Sequence, residues 1–504
     1  MKRLSYLLTA LATIAVFAGC DPPEEGTVST EAAAAVEEIP VTTTSEEALA
    51  LFTEGQHALD MGRFQDADAL FKQAAESDTL FTYAYINLMN TAASADEFMR
   101  NLEAAEANMG AASEGEQLLV KFNRTFVDVD VGQRRALAEQ LVEAYRASPR
   151  AWLTLAGVQA GLQEIEAART SMNKALELDQ NFAPTHINLG VSYLFNEPKD
   201  FAKAEEHMQR VVELEPNEAN AHVNLGDAYR AQQLLEKARD AYGKGAEVDP
   251  SSALALSKKG HADSFLGNYD EARTDFDQAV EVARDQVKAS YAAFKAYVHA
   301  YAGDAEAAVE ELGQLYGSIE EMDIPEDQLL GAKITVLTDQ AMIAMHHGRF
   351  DVAEEAIRSQ TEYIKTLAEG VGDEDFTQSQ EANIAFWEGL LAAYKGEFDT
   401  ARAKAEENAR LVEPQTDPTK MQGYHRLLGL IELKSGNPQG AVEHYQQANP
   451  NAIMVKYHHA LALEGTGNQD EASRLFKEVA EWNFNSAAYA CVRNDAIQKV
   501  EAAM

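Results

Sequence analysis

The chain has 504 residues and only two cysteines, Cys20 and Cys491. A disulfide-stapled scaffold is therefore excluded. It has 13 prolines, and no stretch alternates apolar and polar residues long enough to argue for a sheet domain. Its longest early apolar run, Leu7 to Phe17, is too short to cross a bilayer. Positive charge is scarce: 42 Lys and Arg stand against 82 Asp and Glu, for a formal net charge of −40. A field of that sign makes nucleic acid and anionic lipid surfaces poor partners. Catalytic signatures are missing as well. There is no HExxH, G-x-S-x-G, P-loop, GxGxxG or CxxC. Asp128-x-Asp130-x-Gly132 lacks the remaining ligands of a calcium loop. The adjacent pairs His346-His347 and His458-His459 point apart on a helix. The expectation is a non-enzyme with no cofactor and no metal.

What the chain does have is a beat. Ala168, Ala204, Ala238, Ala272, Ala308, Ala353, Ala401, Ala441 and Ala472 recur at steps of 36, 34, 34, 36, 45, 48, 40 and 31 residues. A small residue returning near 34 marks a two-helix unit that cannot bury its apolar face alone and stacks on its neighbours. Gly226, Ala238 and Ala272 fall where helices must cross closely. Tyr242 and Phe276, four residues after those alanines, share the same face and fill the gap. Gly62, Gly267, Gly303, Gly348, Gly396, Gly436 and Gly467 recur just before second helices, where a left-handed residue turns the chain. Pro216 and Pro250 close second helices.

The clearest stretch carries His222, Leu225, Gly226 and Tyr229, then Ala238, Tyr242 and Pro250, then Gly260, Gly267, Tyr269, Ala272, Phe276 and Ala279. It resembles the tetratricopeptide repeat family. The resemblance implies an all-α, right-handed superhelical solenoid of antiparallel helix pairs. About twelve pairs plus a C-terminal capping helix are expected from the repeat length. The expected divisions are 45–150 for partly degenerate repeats, 151–284 for regular ones, 285–483 for lengthened or irregular ones and 484–504 for the cap. His186 and His222 occupy the family's usual Trp site and read as packing residues, and Cys491 reads as a small core residue.

The N-terminus carries an address. Lys2 and Arg3, the apolar run and Phe17-Ala18-Gly19-Cys20 form a secretory leader over 1–19. Its end resembles a bacterial lipobox, which makes Cys20 the lipidation site of a bacterial repeat lipoprotein. The implied place is the cell envelope, facing the periplasm, on the inner or the outer membrane. Residues 20–44 follow. Asp21 to Ser45 hold six acidic residues and no basic ones, which predicts a disordered tether. Thr44 or Ser45 would then cap the first helix.

In the family, first helices line the concave face. Asn87, Asn188 and Asn224 share one repeat position, and Lys258 takes it in the following unit. An amide row of this kind can grip the backbone of an extended peptide. Lys258 would hold a carboxylate, with Arg230 beside it, although Val191 and Asp227 stand where a fuller clamp would carry a second Asn. The resemblance thus implies a protein-interaction adaptor for envelope proteins or extended peptides. A structural homo-oligomer pairing through the lengthened repeats is the alternative.

The anchor is testable directly. Cys20→Ala should remain unprocessed and take up no labelled palmitate. Labelling of that variant, or a native mature protein beginning elsewhere, would remove the lipoprotein reading.

Overall fold

The computed structural model describes residues 38–503. The leader, Cys20 and most of the acidic stretch lie outside them. Among the described residues there are 25 α-helices and no strand, and helix accounts for 79% of those residues. Within each of two units they pack in consecutive pairs, and one helix ends the chain. The chain divides into two units, residues 1–232 and 233–504.

The first unit holds α1 (Glu46–Asp60), α2 (Phe64–Ser77), α3 (Thr82–Thr91), α4 (Ala95–Asn108), α5 (Glu114–Asp128), α6 (Val131–Ala144), α7 (Pro149–Gly161), α8 (Ile165–Leu178), α9 (Ala183–Phe195), α10 (Phe201–Leu214) and α11 (Ala219–Ala231). Ser45 caps α1, its side chain accepting from the Ala48 amide, and Glu46 and Glu47 face the positive helix end. Within pairs the crossings are close. A Cβ added at Gly55 would meet the Phe71 ring at 2.9 Å, and one at Gly190 would meet Met208 at 2.8 Å. Ala67, Ala168 and Ala204 are fully buried at the same crossings. The array curves until its ends touch. Arg63 Nε donates to Glu218 at 3.1 Å, and Asn220 Nδ2 donates to the Met61 carbonyl at 2.9 Å.

The second unit holds α12 (Leu235–Val248), α13 (Ala253–Leu266), α14 (Tyr269–Val282), α15 (Val287–Tyr301), α16 (Ala305–Ser318), α17 (Glu326–His346), α18 (Phe350–Val371), α19 (Glu374–Lys395), α20 (Phe398–Val412), α21 (Gln422–Lys434), α22 (Pro438–Tyr445), α23 (Ile453–Gly465), α24 (Gln469–Ala480) and α25 (Ala487–Ala503). Ala238, Tyr242, Ala272 and Phe276 are all fully buried. The irregular spacing after Asp285 is taken up largely as longer helices: α17, α18 and α19 have 21, 22 and 22 residues.

The last helix does more than cover the last pair. Tyr489, Val492 and Ala496 are fully buried on α25. Asn494 Nδ2 donates to the Tyr301 carbonyl at 3.0 Å, and Arg493 Nη2 donates to the Phe265 carbonyl at 2.9 Å. Gln233, just before α12, donates to the Glu481 carbonyl at 2.7 Å. The beginning and end of this unit are therefore joined by hydrogen bonds, and the apolar stripe of α25 fills its interior. Cys491 is 4% exposed and sits in that core, where burial pushes its thiol far up.

All seven glycines expected at the turns have positive φ, from 74° at Gly62 to 89° at Gly303. Gln163 and Gln233 take the same place with φ of 62° and 64°. A side chain in that region strains the backbone. Gln163 is exposed, so Gln163→Gly should stabilise the protein by roughly 0.5–1 kcal/mol, while Gly62→Ala should destabilise it by about as much. Thermal melts of the two variants should move in opposite directions.

Candidate functional site

The repeat position usually filled by Trp has one chemical task. Trp152 Nε1 donates to the Arg146 carbonyl at 3.0 Å. His186 Nε2 lies 3.1 Å from the Gln180 carbonyl, and His222 Nε2 lies 3.0 Å from that of Pro216. In each case the acceptor is six residues back, on the loop entering the helix. A ring N–H is what this place requires, so His can replace Trp. The two histidines are packing residues, 9% and 8% exposed. His207 Nδ1 meets His186 Nδ1 at 3.0 Å, and burial holds His207 down to about 4. Among the described residues no group of three or more His, Cys, Asp or Glu could hold a metal ion.

The expected amide row is divided by its surroundings. Asn87 is 3% exposed and donates to Gln56 Oε1 at 2.9 Å. Gln56 in turn donates to Asp60, which accepts both Arg150 guanidinium nitrogens at 2.9 Å. Asn87 thus braces the first helices of three pairs and does not face a ligand. Arg230 is 4% exposed and paired with Asp227 at 3.3 Å, so its charge is already compensated. Asn188 is half-buried and donates to the Pro184 carbonyl of its own helix at 2.8 Å, leaving its amide oxygen. Asn224 is half-buried and makes no hydrogen bond to another described residue. Lys258 is half-buried and belongs to the second unit, whereas the others belong to the first.

Sequence reasoning missed a site that holds a stretch of non-helical chain. The predicted tether runs to residue 44, yet residues 38–44 lie against the first unit. Ile39 is 3% exposed, and its methyl fills the space over Gly115, where a Cβ would sit 2.6 Å away. The segment's backbone is held from both sides. Its Thr42 amide donates to Glu116 Oε1 at 3.0 Å, and its Pro40 carbonyl accepts from Ser113 Oγ at 3.0 Å. Side chains complete the hold: Thr43 Oγ1 donates to Asp78 at 2.6 Å, and Ser148 Oγ donates to Glu38 at 2.9 Å. Asp78, Ser113 and Ser148 stand at three successive junctions between pairs. Glu116 is fully buried and accepts two backbone N–H groups, since it also closes the capping box of α5. The one sequence signal was that box, Ser113-x-x-Glu116, whose second acceptor oxygen has no use within the helix.

This arrangement defines a helical-repeat scaffold that seats its own segment 38–44. Residues 149–182 and 253–286 match one tetratricopeptide repeat model, and residues 199–253 match another. Residues 149–182 and 199–286 are therefore similar to tetratricopeptide repeats, in keeping with the all-helical repeat fold. That repeat is in general a non-catalytic protein-interaction module. Among curated proteins the chain is similar to the photosystem I assembly protein Ycf3 of Synechococcus sp. strain CC9902. The two are 27% identical over 132 residues, which is 23% of this chain and 75% of that protein. Solved structures with a similar fold include the type IV pilus biogenesis factor PilW, at 17% identity. That likeness covers 42% of this chain and 96% of PilW, with a TM-score of 0.34. A chain of the APC/C hetero-tetramer Cut9–Hcn1 also has 17% identity, over 86% of this chain and 76% of its own, with a TM-score of 0.36.

Asp339, inside the second unit, has the Tyr297 hydroxyl as its hydrogen-bond donor, and burial raises its carboxyl from 3.8 to about 7. A carboxyl whose pKa is higher folded than unfolded takes up a proton on folding, so its contribution falls as pH climbs from about 4 to about 7. Burial depresses His207 and His346 to about 4, and these groups work the other way, favouring folding as pH rises through that range. The comparison with a variant isolates the carboxyl. Asp339→Asn should be more stable than wild type at pH 8, by on the order of 2 kcal/mol, and the gain should vanish near pH 4. Denaturant melts at both pH values check this.

Proposed function

We propose that this protein is a non-catalytic adaptor, anchored by a lipid on Cys20 in a bacterial cell envelope and facing the periplasm. It holds non-helical segments of partner proteins against its repeats. The observation that carries the reading is the seating of residues 38–44. The repeat framework there grips an irregular stretch by one backbone amide and one backbone carbonyl, with an apolar side chain in a slot. This is recognition that fixes a backbone and selects one side chain. The leader and the cysteine at its end support the envelope address.

For a partner segment, the unsatisfied amide of Asn224 and the remaining oxygen of Asn188 are the groups of the expected row still able to bond within the first unit. A photo-reactive residue at 224 should capture an envelope protein in intact cells, and one at the exposed Lys174 should not. Asn188→Ala with Asn224→Ala should then weaken that purified partner about tenfold, at roughly 0.5–1.5 kcal/mol for each bond lost, with helicity and melting unchanged. Loss of stability with full retention of the partner would assign both amides to bracing helices and end this reading of the row.

A further inference from the structure

Four consecutive first helices of the second unit, α17, α19, α21 and α23, converge on a small cavity. Met342 and Met345 line it from α17, Trp387 and Tyr394 from α19, Arg426 from α21, and Met454 and His458 from α23. Its volume open to the centre of a guest is about 10 Å³, room for one water or the head of a small anion. Methionines make such a wall deformable, so the space can widen around a guest.

The chemistry of the lining is one-sided. Arg426 makes no salt bridge and no hydrogen bond with any described residue; its guanidinium carbon lies 5.1 Å from the centre of the Phe386 ring. The titratable groups that act on Arg426 are the tyrosines Tyr394 and Tyr445, both neutral because burial pushes their hydroxyls up. The Tyr445 hydroxyl is buried without a partner. The Trp387 indole N–H has no partner among the described residues, and neither do the His458 ring nitrogens. Lys434 stands nearby over the Tyr394 ring at 4.4 Å. The nearest acid on the terminal helix, Asp495, accepts from Tyr457 at 3.1 Å and acts on His346 and His347. Burial, with His346, Arg426 and Lys434 adding to it, pushes His458 well down, as a positive field requires.

The half-buried Arg426 guanidinium has no acceptor among the described residues, which leaves it open to an anion. In a chain of net charge −40, carboxylates were available to pair it. Three thioethers and an imidazole would suit a soft metal ion, but the guanidinium in the same cavity repels a cation. We propose that this cavity binds a small monocarboxylate, with its anionic head on Arg426 and its short apolar body among Met342, Met345 and Met454. Arg426 supplies the forked donor that a carboxylate matches, and Trp387 supplies a single donor.

Sodium butyrate titrated calorimetrically into the full mature chain tests this, with butyramide as the neutral isostere. Butyrate should bind at least roughly tenfold more tightly than butyramide, and Arg426→Met should lose that difference. Arg426→Lys should keep part of it. Without ligand, Arg426→Met should melt no lower than wild type, because a half-buried charge with no acid to pair it has been removed. Should that variant fail to fold, Trp387→Phe decides, since it keeps an aromatic ring and deletes one donor; it should weaken butyrate several-fold and leave butyramide unchanged. No butyrate binding, equal binding of the two compounds, or wild-type affinity in Arg426→Met or Trp387→Phe would overturn the proposal.

Discussion

Everything in this protein hangs on one close crossing, repeated. On the first helix of a pair a glycine lies under a large ring of the second helix, sixteen residues on. Gly55 lies under Phe71, Gly260 under Phe276 and Gly429 under Tyr445, with a Cβ there meeting the ring at 2.7 to 3.1 Å. A methyl group at any of these would force helix or ring to move in an interior packed at crystal-like density. The contact therefore sets the distance and roll of the two helices together. With roll fixed pair after pair, first helices within each unit present a common face. That common face lets Asn87, Gln56, Asp60 and Arg150 connect across pairs in one unit. In the other it lets four helices wall one cavity.

The same constraint explains what could be read in advance. Buried alanines and left-handed glycines are local demands of backbone geometry, so they recur in the sequence wherever the geometry does. Pairs without them were hard to see for a physical reason. The pair of α5 and α6 turns at Val129, a β-branched residue at φ 55°, and shows no glycine to mark it. The site was less legible because partnership is not a local property. Asn87 and Asn224 occupy one repeat position, yet one is tied into a network through Gln56 and the other is unbonded. Their difference lies in neighbours about thirty residues or more away in sequence, which no single-position pattern records. The seating of residues 38–44 escaped for the same reason. Composition predicts that an acidic stretch will not fold alone, and says nothing of whether a slot awaits its one large apolar side chain, Ile39.

Charge adds a second layer. The acidic residues are spread over exposed helix faces, often paired at one turn's distance, as with Lys174–Glu177 and Arg210–Glu213. Such pairs contribute little stability individually; together with the net charge they favour solubility. The interior follows a different rule. In the first unit two charged groups are closed on neighbours: Arg150 has Asp60, and Glu116 has two amides. Those groups hold the chain's own parts, including its N-terminal segment. In the second unit Arg426, Trp387 and Tyr445 are donors without acceptors.

Satisfied and unsatisfied groups therefore divide the work between structure and binding. A polar network that is closed rigidifies its surroundings and has nothing left to offer a partner. Unmet donors among apolar walls carry a standing desolvation cost that an anionic guest would offset. Repeat proteins obtain stability from nearest-neighbour stacking, so a few such costs can be carried in one place without unfolding the rest. The apolar stripe of α25, packed into the interior of the second unit, supplies part of that stability. The helix that joins the end of this unit to its beginning thus also permits its inner helices to keep groups that packing alone would have removed.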